Sequence, residues 1–364
     1  NAWHDGSALL VEFGYVAGIV STDALPDNAE RHALDGGMLV PGFIDLQVNG
    51  GGGVLFNNAP TVESIRTICA AHAQFGTTAL LPTLITDTAA VNIEAIAAGV
   101  EAWKQRVPGF LGLHLEGPHL SLARKGTHDP ALIRPMDAAD LARTVAAAHD
   151  LPNLLCTVAA ETVTPQQVAA LAGAGAVVSI GHSDASYDVT NAAFAAGATM
   201  ATHLFNAMSQ LGNREPGVVG AVLSNPNVFA GLIADGIHVH PAAIAAALRA
   251  KVGPGRIFLV TDAMSQTGTD LKTLTLNGRT ITRADGTLAG ADLDMIDAIT
   301  FMVDHIGLDF EEVIRMASLY PAEAMGIADT YGHLGHSAVA NFVHLSNERA
   351  VRSTWIGGEA VWSA

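Results

Sequence analysis

The sequence predicts an α/β protein, a (β/α)8 TIM-like barrel with a small β-sandwich domain formed by the N- and C-terminal segments. Eight short apolar runs, each ending in polar or glycine-rich residues, alternate with longer alanine-rich stretches of helical character. Strand-then-helix repetition implies parallel strands with right-handed crossovers, and eight such units close a barrel. Both ends of the chain lack helical stretches, which separates them from the barrel.

The individual elements follow from these patterns in chain order. The predicted strands are residues 43–48, 78–82, 110–115, 154–159, 176–180, 198–202, 228–234 and 257–261. The predicted helices between them include residues 62–75, 88–106, 138–149, 165–174, 188–196 and 241–250.

The two ends of the chain predict the small domain. One contains ALLVEFGYVAGIV and the other contains VANFVHLS and AVRSTWIGG, which are β-rich pieces with hairpin-like alternation. Neither end is long enough to bury a good core alone, so we expect the two to pair. The predicted organisation is a first part of the small β domain at 1–40, the barrel at 41–331 and the second part of the small domain at 332–364.

The composition limits the classes of partner. With 49% hydrophobic and 15% charged residues, the 364-residue chain can bury a substantial core. A formal net charge of −17 argues against nucleic acid or an anionic membrane, while a few local cations still permit an anionic small molecule. No leader and no long uncharged apolar span is evident, so we expect a soluble, cytoplasmic protein. Cys69 and Cys156 lie in apolar segments and are expected to be buried free thiols.

Polar side chains recur where the predicted strands end, which is the face that carries the active site in a barrel. They include carboxylates, imidazoles and amides, a combination suited to catalysis. These residues are Gln47 and Asn49 at the end of the first strand, Glu116 after the third, His182 after the fifth, His203 after the sixth, His238 just beyond the seventh and Asp262 after the eighth.

Glu116, His182 and His203 are the candidate metal ligands. A carboxylate that ends a buried strand is costly unless it is paired or bound to a cation. Each residue also has a structural alternative: a salt bridge for Glu116, a helix cap for His182 and a satisfied core histidine for His203. Together, a Glu-His-His set leaves one coordination position open, which is the catalytic pattern for zinc or a similar divalent ion.

Asp262, in IFLVTDAMS, is the candidate general base and acid. A carboxylate beside metal-activated water can take its proton and later return it to the leaving group. The alternative is an aspartate that caps a turn. His114 lies on the same predicted strand as Glu116 but one layer deeper, so we expect it to serve in packing or to support the metal site.

Seven segments together resemble the N-acetylglucosamine-6-phosphate deacetylase family of the amidohydrolase superfamily. They run in family order from about residue 41 to 295, and the combination is far more specific than any single motif. The segments are PGFIDLQVNG, GLHLEGPHLSLARKGTHDP, GAVVSIGHSDAS, ATHLFNAMSQLGNREPGVVGA, IADGIHVHP, LVTDAM and TLAGADLDM. The chain departs from the family pattern where the usual proline is replaced in Val158-Ala159-Ala160-Glu161.

The resemblance implies hydrolysis of the acetamide of N-acetyl-D-glucosamine 6-phosphate to glucosamine 6-phosphate and acetate. It implies the metal and base roles given above, and it adds His128, in KGTHDP, as a residue that polarises the acetyl carbonyl. It also implies one divalent ion per chain, zinc first, with Fe²⁺, Co²⁺ or Mn²⁺ as alternatives.

The same resemblance implies how the phosphorylated N-acetyl amino sugar is bound. Asn206, the backbone of Ala207, Arg214 and His238 would hold the sugar phosphate. In the family, the arginine of REPG reaches across from a neighbouring subunit, which implies a homodimer. The planar guanidinium of Arg214 suits phosphate oxygens, and the alternative is a solvated loop arginine.

The first strand predicts the metal stoichiometry. Relatives with binuclear sites have two metal-binding histidines here, whereas Gln47 and Asn49 are neutral amides and poor zinc ligands. We therefore expect one ion and not two. Gln47 is left to position water or substrate by hydrogen bonding, with packing as the alternative.

Two other functions stay open on the residues alone. Another amidohydrolase, acting on an N-acyl amino acid or a cyclic amide, would use the same rim without phosphate contacts from Arg214 and His238. A non-catalytic sugar-phosphate sensor is the second alternative, although it would have no need for Asp262 beside an open metal site.

Overall fold

The computed structural model of the chain describes residues 3–264, 275–277, 280–282 and 288–364. Its strands are β1 (Ser7–Glu12), β2 (Tyr15–Ser21), β3 (Met38–Pro41), β4 (Phe43–Val48), β5 (Gly50–Gly51), β6 (Val54–Leu55), β7 (Thr77–Ile85), β8 (Leu113–Glu116), β9 (Leu154–Val158), β10 (Val177–Ile180), β11 (Met200–Ala201), β12 (Phe229–Ile233), β13 (Ile257–Val260), β14 (Thr275–Asn277), β15 (Thr280–Thr282), β16 (Leu288–Ala291), β17 (Phe342–Leu345), β18 (Val351–Ile356) and β19 (Glu359–Ser363). Its α-helices are α1 (Val62–Ala73), α2 (Ala89–Lys104), α3 (Ala138–Asp150), α4 (Pro165–Gly173), α5 (Tyr187–Ala195), α6 (Gly217–Ser224), α7 (Pro241–Ala250), α8 (Met295–Phe301), α9 (Phe310–Ala317) and α10 (Leu319–Ala324).

The central sheet is a parallel barrel. Strands β4 and β7 to β13 pair in chain order, and most are buried along their whole length because helices cover the outer face. The last strand returns to the first: the Asp262 amide donates to the Gln47 carbonyl at 3.0 Å, and a parallel bridge joins Val48 to Ala263. The predicted TIM-like barrel is confirmed.

The third barrel strand begins later than the sequence pattern indicates. The apolar run from residue 110 includes Gly112, whose φ of 151° lies in a region that side chains other than glycine rarely adopt. A Cβ there would lie 2.1 Å from the Asn153 carbonyl oxygen. Phe110 makes only an isolated bridge to Leu80, and the continuous strand covers Leu113–Glu116.

The helices α1 to α5 and α7 lie where the sequence predicts helices. Thr61, Thr88 and Asp137 begin α1, α2 and α3 by accepting a hydrogen bond from a backbone amide three residues on. Helices α6 and α8 to α10 are not among the predicted elements. In α6, GVVGAVLS, seven of eight residues are buried, so no polar face reveals a helical period.

The small β domain is built from both ends of the chain. Strands β3, β17, β18 and β19 form an antiparallel sheet in the order β19-β18-β17-β3, and β1 and β2 form a hairpin. The hairpin joins the C-terminal segment through the Val16 amide, which donates to the Ala338 carbonyl at 2.8 Å. Val16, Ala338, Ala340 and Phe342 are buried together as a separate core. The residue boundaries between the domains stay a prediction.

A further antiparallel sheet, β14-β15-β16, follows the eighth barrel strand and was not expected. Among the helices of the described residues, none combines the length and apolar character needed to cross a bilayer. Cys69 and Cys156 are buried free thiols, as expected.

Candidate active site

The polar residues that follow the barrel strands meet at one cavity of about 340 Å³. The cavity opens at the carboxyl ends of the strands, where barrel active sites lie. Its lining includes Glu116, His128, His182, His203, Asn206, Ala207, His238 and Asp262.

Glu116, His182 and His203 converge on one point. The Oε1 atom of Glu116 lies 3.1 Å from Nε2 of His182 and 3.1 Å from Nε2 of His203, and the two Nε2 atoms are 3.1 Å apart. All three side chains are buried. Among the residues that the structure describes, these three form the one group of three or more potential ligands whose ligand atoms are close enough together to hold a metal ion.

The tautomer of His182 fits a cation. His182 Nδ1–H donates to the carbonyl oxygen of Arg124 at 2.9 Å, so the lone pair of the neutral ring is on Nε2. That lone pair faces the carboxylate oxygen of Glu116, which is also an acceptor, at 3.1 Å. Acceptors this close repel one another unless a positive charge lies between them. The donor set of one carboxylate and two imidazoles therefore suits a divalent transition metal.

Four of the site residues have left-handed backbone conformations. The φ angles are 48° for His182, 29° for His203 and 51° for Asp262, each two residues beyond the end of a barrel strand, and 47° for Ala207 in the loop after His203. Such conformations are uncommon for residues with a Cβ and often mark functional sites. Here they turn the chain away from the strand direction at the rim of the cavity.

Asp262 is held by Asn49. The Asn49 side-chain amide donates to Asp262 Oδ1 at 2.7 Å, which fixes the carboxylate at the cavity wall. Burial and the neighbouring Glu116 charge raise the pKa of Asp262 to about 6. This carboxylate can therefore accept a proton close to neutral pH, as a general base must.

Gln47 lies beneath the candidate metal site and not in the cavity lining among the described residues. Its Nε2–H donates to Glu116 Oε1 at 3.1 Å, and its side chain is buried. The amide thus contacts a candidate ligand through a donor nitrogen, which is the atom that cannot bind a cation.

His128 faces Glu116 from the loop after β8. Its Nε2 lies 3.9 Å from Glu116 Oε2, and its Nδ1 accepts a hydrogen bond from the Thr86 backbone amide at 3.2 Å. Because a backbone amide can only donate, the proton of a neutral His128 is on Nε2. His128 therefore offers an N–H donor to the cavity, the opposite tautomer to His182.

His238 is oriented by Asp235. Its Nδ1 lies 2.6 Å from Asp235 Oδ2, and the other carboxylate oxygen accepts the backbone amides of Ile237 and His238, each at 2.8 Å. Burial opposes ionisation of Asp235, but the hydrogen bonds from His238 lower its pKa below the ordinary value. The Nε2 atom of His238 is the ring nitrogen left for a ligand in the cavity.

Asn206 and Ala207 line the same cavity, whereas Arg214 does not, among the residues that the structure describes. Arg214 lies on an exposed loop between β11 and α6. The next residue, Glu215, holds this loop by accepting the backbone amides of Tyr187 at 2.7 Å and Gly217 at 3.0 Å. The structure therefore brings together every predicted site residue except Arg214.

The deeper layer of the barrel contains Asp45, which the sequence reasoning missed. Asp45 is fully buried, and it accepts hydrogen bonds from Thr261 Oγ1 at 2.5 Å and from the Thr261 and Gln47 amides at 3.2 Å. Burial raises its pKa to about 7, although these hydrogen bonds oppose the shift. The alternation Asp45, Gln47, Asn49 along one strand is the signal that could have revealed it.

His114 occupies the same layer, as expected. Its Nε2 lies 2.7 Å from Thr157 Oγ1, and Thr157 Oγ1 lies 2.7 Å from Thr202 Oγ1. Burial lowers the pKa of His114 to about 4, so the ring is neutral near pH 7. It supports the strands beneath the candidate metal ligands.

Comparison with known proteins agrees with this geometry. The chain is 41% identical to an N-acetylgalactosamine-6-phosphate deacetylase of Shewanella sp. (strain ANA-3), with 98% of this chain and 92% of the relative covered. It is 34% identical to an N-acetylglucosamine-6-phosphate deacetylase of Haemophilus influenzae, with 97% and 94% covered.

Among solved structures, the N-acetylglucosamine-6-phosphate deacetylase from Pasteurella multocida superposes with a TM-score of 0.93 at 34% identity, covering 99% of this chain and 95% of that one. The sequence profile described as the amidohydrolase family matches residues 38–361. The match spans the barrel and most of the β19-β18-β17-β3 sheet, and the chain belongs to the amidohydrolase family.

Proposed function

We propose that the protein hydrolyses the acetamide of N-acetyl-D-glucosamine 6-phosphate to glucosamine 6-phosphate and acetate. The observation that carries the proposal is Asp262, a carboxylate with a raised pKa, at the wall of the cavity where the Glu116, His182 and His203 ligand atoms meet. An open three-ligand site beside a base is the arrangement that metal-assisted hydrolysis needs. The names of the relatives supply the substrate class.

Glu116, His182 and His203 would hold one divalent ion, and we propose zinc. A cation bound there supplies Lewis acidity, which lowers the pKa of water and polarises an amide carbonyl. The hydrogen bond from Gln47 to Glu116 supports a single ion. Gln47 directs its amide nitrogen, which cannot bind a metal, toward Glu116, so it does not serve as a ligand for a second ion.

Asp262 takes the proton of the attacking water and then passes it to the departing amine nitrogen. The bond from Asn49 keeps Asp262 Oδ1 in place, so the proton moves to and from a fixed position. His128 donates its Nε2–H to the acetyl oxygen as negative charge develops there. The C–N bond breaks, a C–O bond forms, and the products are acetate and the free amino sugar.

The phosphate end of the substrate would contact His238, Asn206 and the backbone of Ala207, all of which line the cavity. We also propose a cytoplasmic homodimer in which Arg214 completes the neighbouring site. The exposure of Arg214 outside its own cavity and the anchoring of its loop by Glu215 support this arrangement. The buried free thiols fit a reducing compartment.

The galactose epimer is a second candidate substrate. The relative that is 41% identical over 98% of this chain is an N-acetylgalactosamine-6-phosphate deacetylase. The two sugars differ only in the configuration at C4, so the same metal, base and phosphate contacts serve both. Parallel measurement of acetate release from both 6-phosphates decides between them by the ratio of kcat/KM.

The assignment of Asp262 is tested by Asp262→Asn. This change keeps the shape of the side chain and its hydrogen bond with Asn49 but removes the base, so we expect turnover to fall by roughly 10²- to 10⁴-fold. Metal content and substrate binding should be retained, as measured by elemental analysis and calorimetry. Near-normal acetate release would remove Asp262 from the mechanism.

A further inference from the structure

The turn that carries His182, residues 181–184, connects two other loops at the rim of the cavity. One follows β8 and includes Arg124, and the other follows β9 and includes Glu161. Neither the metal chemistry nor the substrate contacts proposed above use Glu161.

Glu161 binds the turn with both carboxylate oxygens. Its Oε1 accepts the Asp184 backbone amide at 2.7 Å, and its Oε2 accepts the Ser183 hydroxyl at 2.6 Å. Hydrogen bonds to an ionised acceptor are short and strong compared with neutral ones. Ser183 is fully buried; its hydroxyl oxygen accepts the Ala160 and Ala185 amides, each at 3.3 Å, and Glu161 is the acceptor for its proton.

The loop after β8 then closes the connection. Arg124 Nε donates to Asp184 Oδ1 at 2.7 Å, and the Arg124 carbonyl accepts His182 Nδ1–H at 2.9 Å. The Ser121 amide also donates to the His182 carbonyl at 2.9 Å. His182 is thus fixed on both sides of its Cα, which is consistent with its left-handed φ of 48°.

His203 has no comparable support. Its Nδ1 is a buried atom with no hydrogen-bond partner among the described residues. The two imidazoles of the candidate metal site are therefore oriented differently: one by a network of side chains and backbone, the other by packing and its strand. Loss of the network is expected to act through His182 alone.

We propose that Glu161 is a positioning residue of the metal centre. It holds Ser183 and Asp184, which keeps the His182 backbone in its left-handed conformation and keeps the Arg124 carbonyl on His182 Nδ1. This inference rests on the proposed metal site. Partners of metal-binding histidines typically change metal affinity by 10- to 100-fold when they are removed.

The test compares Glu161→Gln with Glu215→Gln. Both are exposed glutamates that accept two hydrogen bonds, but Glu215 accepts both through Oε1, from the first amides of α5 and α6, and does not contact the His182 turn. The glutamine retains one acceptor oxygen and loses the other, so we expect Glu161→Gln to weaken Zn²⁺ binding about tenfold. We expect Glu215→Gln to bind Zn²⁺ as the wild type does.

Affinity is measured by titrating metal-free protein with Zn²⁺ in competition with a chromophoric chelator. The visible spectrum of the Co²⁺ form gives a second readout, because it reports the geometry around the ion and should shift only in Glu161→Gln. Wild-type affinity and spectrum in that variant would overturn the proposal. A wild-type protein that binds neither ion would instead overturn the metal site itself.

A second variant covers the case in which Glu161→Gln does not fold. Asp184→Asn keeps the backbone amide that Glu161 accepts but weakens the contact with Arg124, so we expect a smaller loss of Zn²⁺ affinity, about two- to fivefold. Unchanged affinity in a folded Asp184→Asn protein, with Glu161→Gln unfolded, would also refute the connection to His182.

Discussion

The raised pKa of Asp45 should make the metal-free protein less stable as the pH rises, and Asp45→Asn should remove this contribution. The carboxylate is fully buried beneath the cavity, with a pKa raised by burial from 3.8 to about 7. An asparagine of the same shape can still accept the Thr261 and Gln47 amides through its oxygen. Its amide group can donate to Thr261 Oγ1, so the variant should fold.

The direction of this pH dependence follows from the raised pKa of Asp45. The folded protein binds the Asp45 proton more tightly than the unfolded chain, so this contribution to stability is fully present below about pH 4 and is lost as the pH rises through 7. With 1.36 kcal/mol for each pKa unit, the wild type should lose on the order of 3 kcal/mol between pH 5 and pH 8 through Asp45. The variant has no such loss at this position.

The assay is urea unfolding of metal-free protein at both pH values, followed by tryptophan fluorescence. The quantity of interest is the change in the free energy of unfolding between the two pH values, compared between variant and wild type. Asp137→Asn is the control: its carboxylate is exposed with a lowered pKa, so it titrates below this range. Parallel pH dependences for wild type and Asp45→Asn would refute the reasoning.

The remaining predictions concern activity. The kcat/KM should fall on acidification, with a midpoint at or below about pH 6, because Asp262 must be unprotonated and a bound cation lowers its pKa further; a flat profile down to pH 4 would contradict this. Arg214→Ala should raise KM for the phosphorylated sugar at least tenfold and leave hydrolysis of the unphosphorylated sugar unchanged, whereas an equal loss on both would exclude a phosphate contact. Chelation should abolish acetate release, and about one equivalent of Zn²⁺ per chain should restore it; a requirement for two would refute the single-ion site.

The barrel could be predicted because its strands are buried on both faces and read as unbroken apolar runs. The ends of a strand could not be predicted where a backbone conformation determines them, as at Gly112 before the third barrel strand. Helix α6 was missed for a related reason: a helix buried on nearly all sides has no polar face. The spacing of apolar residues indicates a helix only when one face of the helix is buried and the other is exposed.

The candidate ligands could be predicted from position alone, because parallel strands bring their carboxyl ends together. His128 and Arg214 lie on loops whose paths the strand pattern does not determine, and only the family resemblance singled them out. Neither the strand positions nor the family resemblance singled out Asp235 or Glu161. Each acts on a neighbouring side chain or turn, through contacts that depend on how the loop folds back.

The pairing of β3 with β17 has a consequence for the order of folding. Residues Met38–Pro41 align with Phe342–Leu345, so the sheet closes a loop of about 300 residues, and closure becomes more costly as the loop grows. During synthesis β3 has no partner until nearly all of the barrel has left the ribosome. The barrel must therefore assemble beside an apolar, unpaired segment, which is a candidate site for chaperone binding or aggregation in the nascent chain.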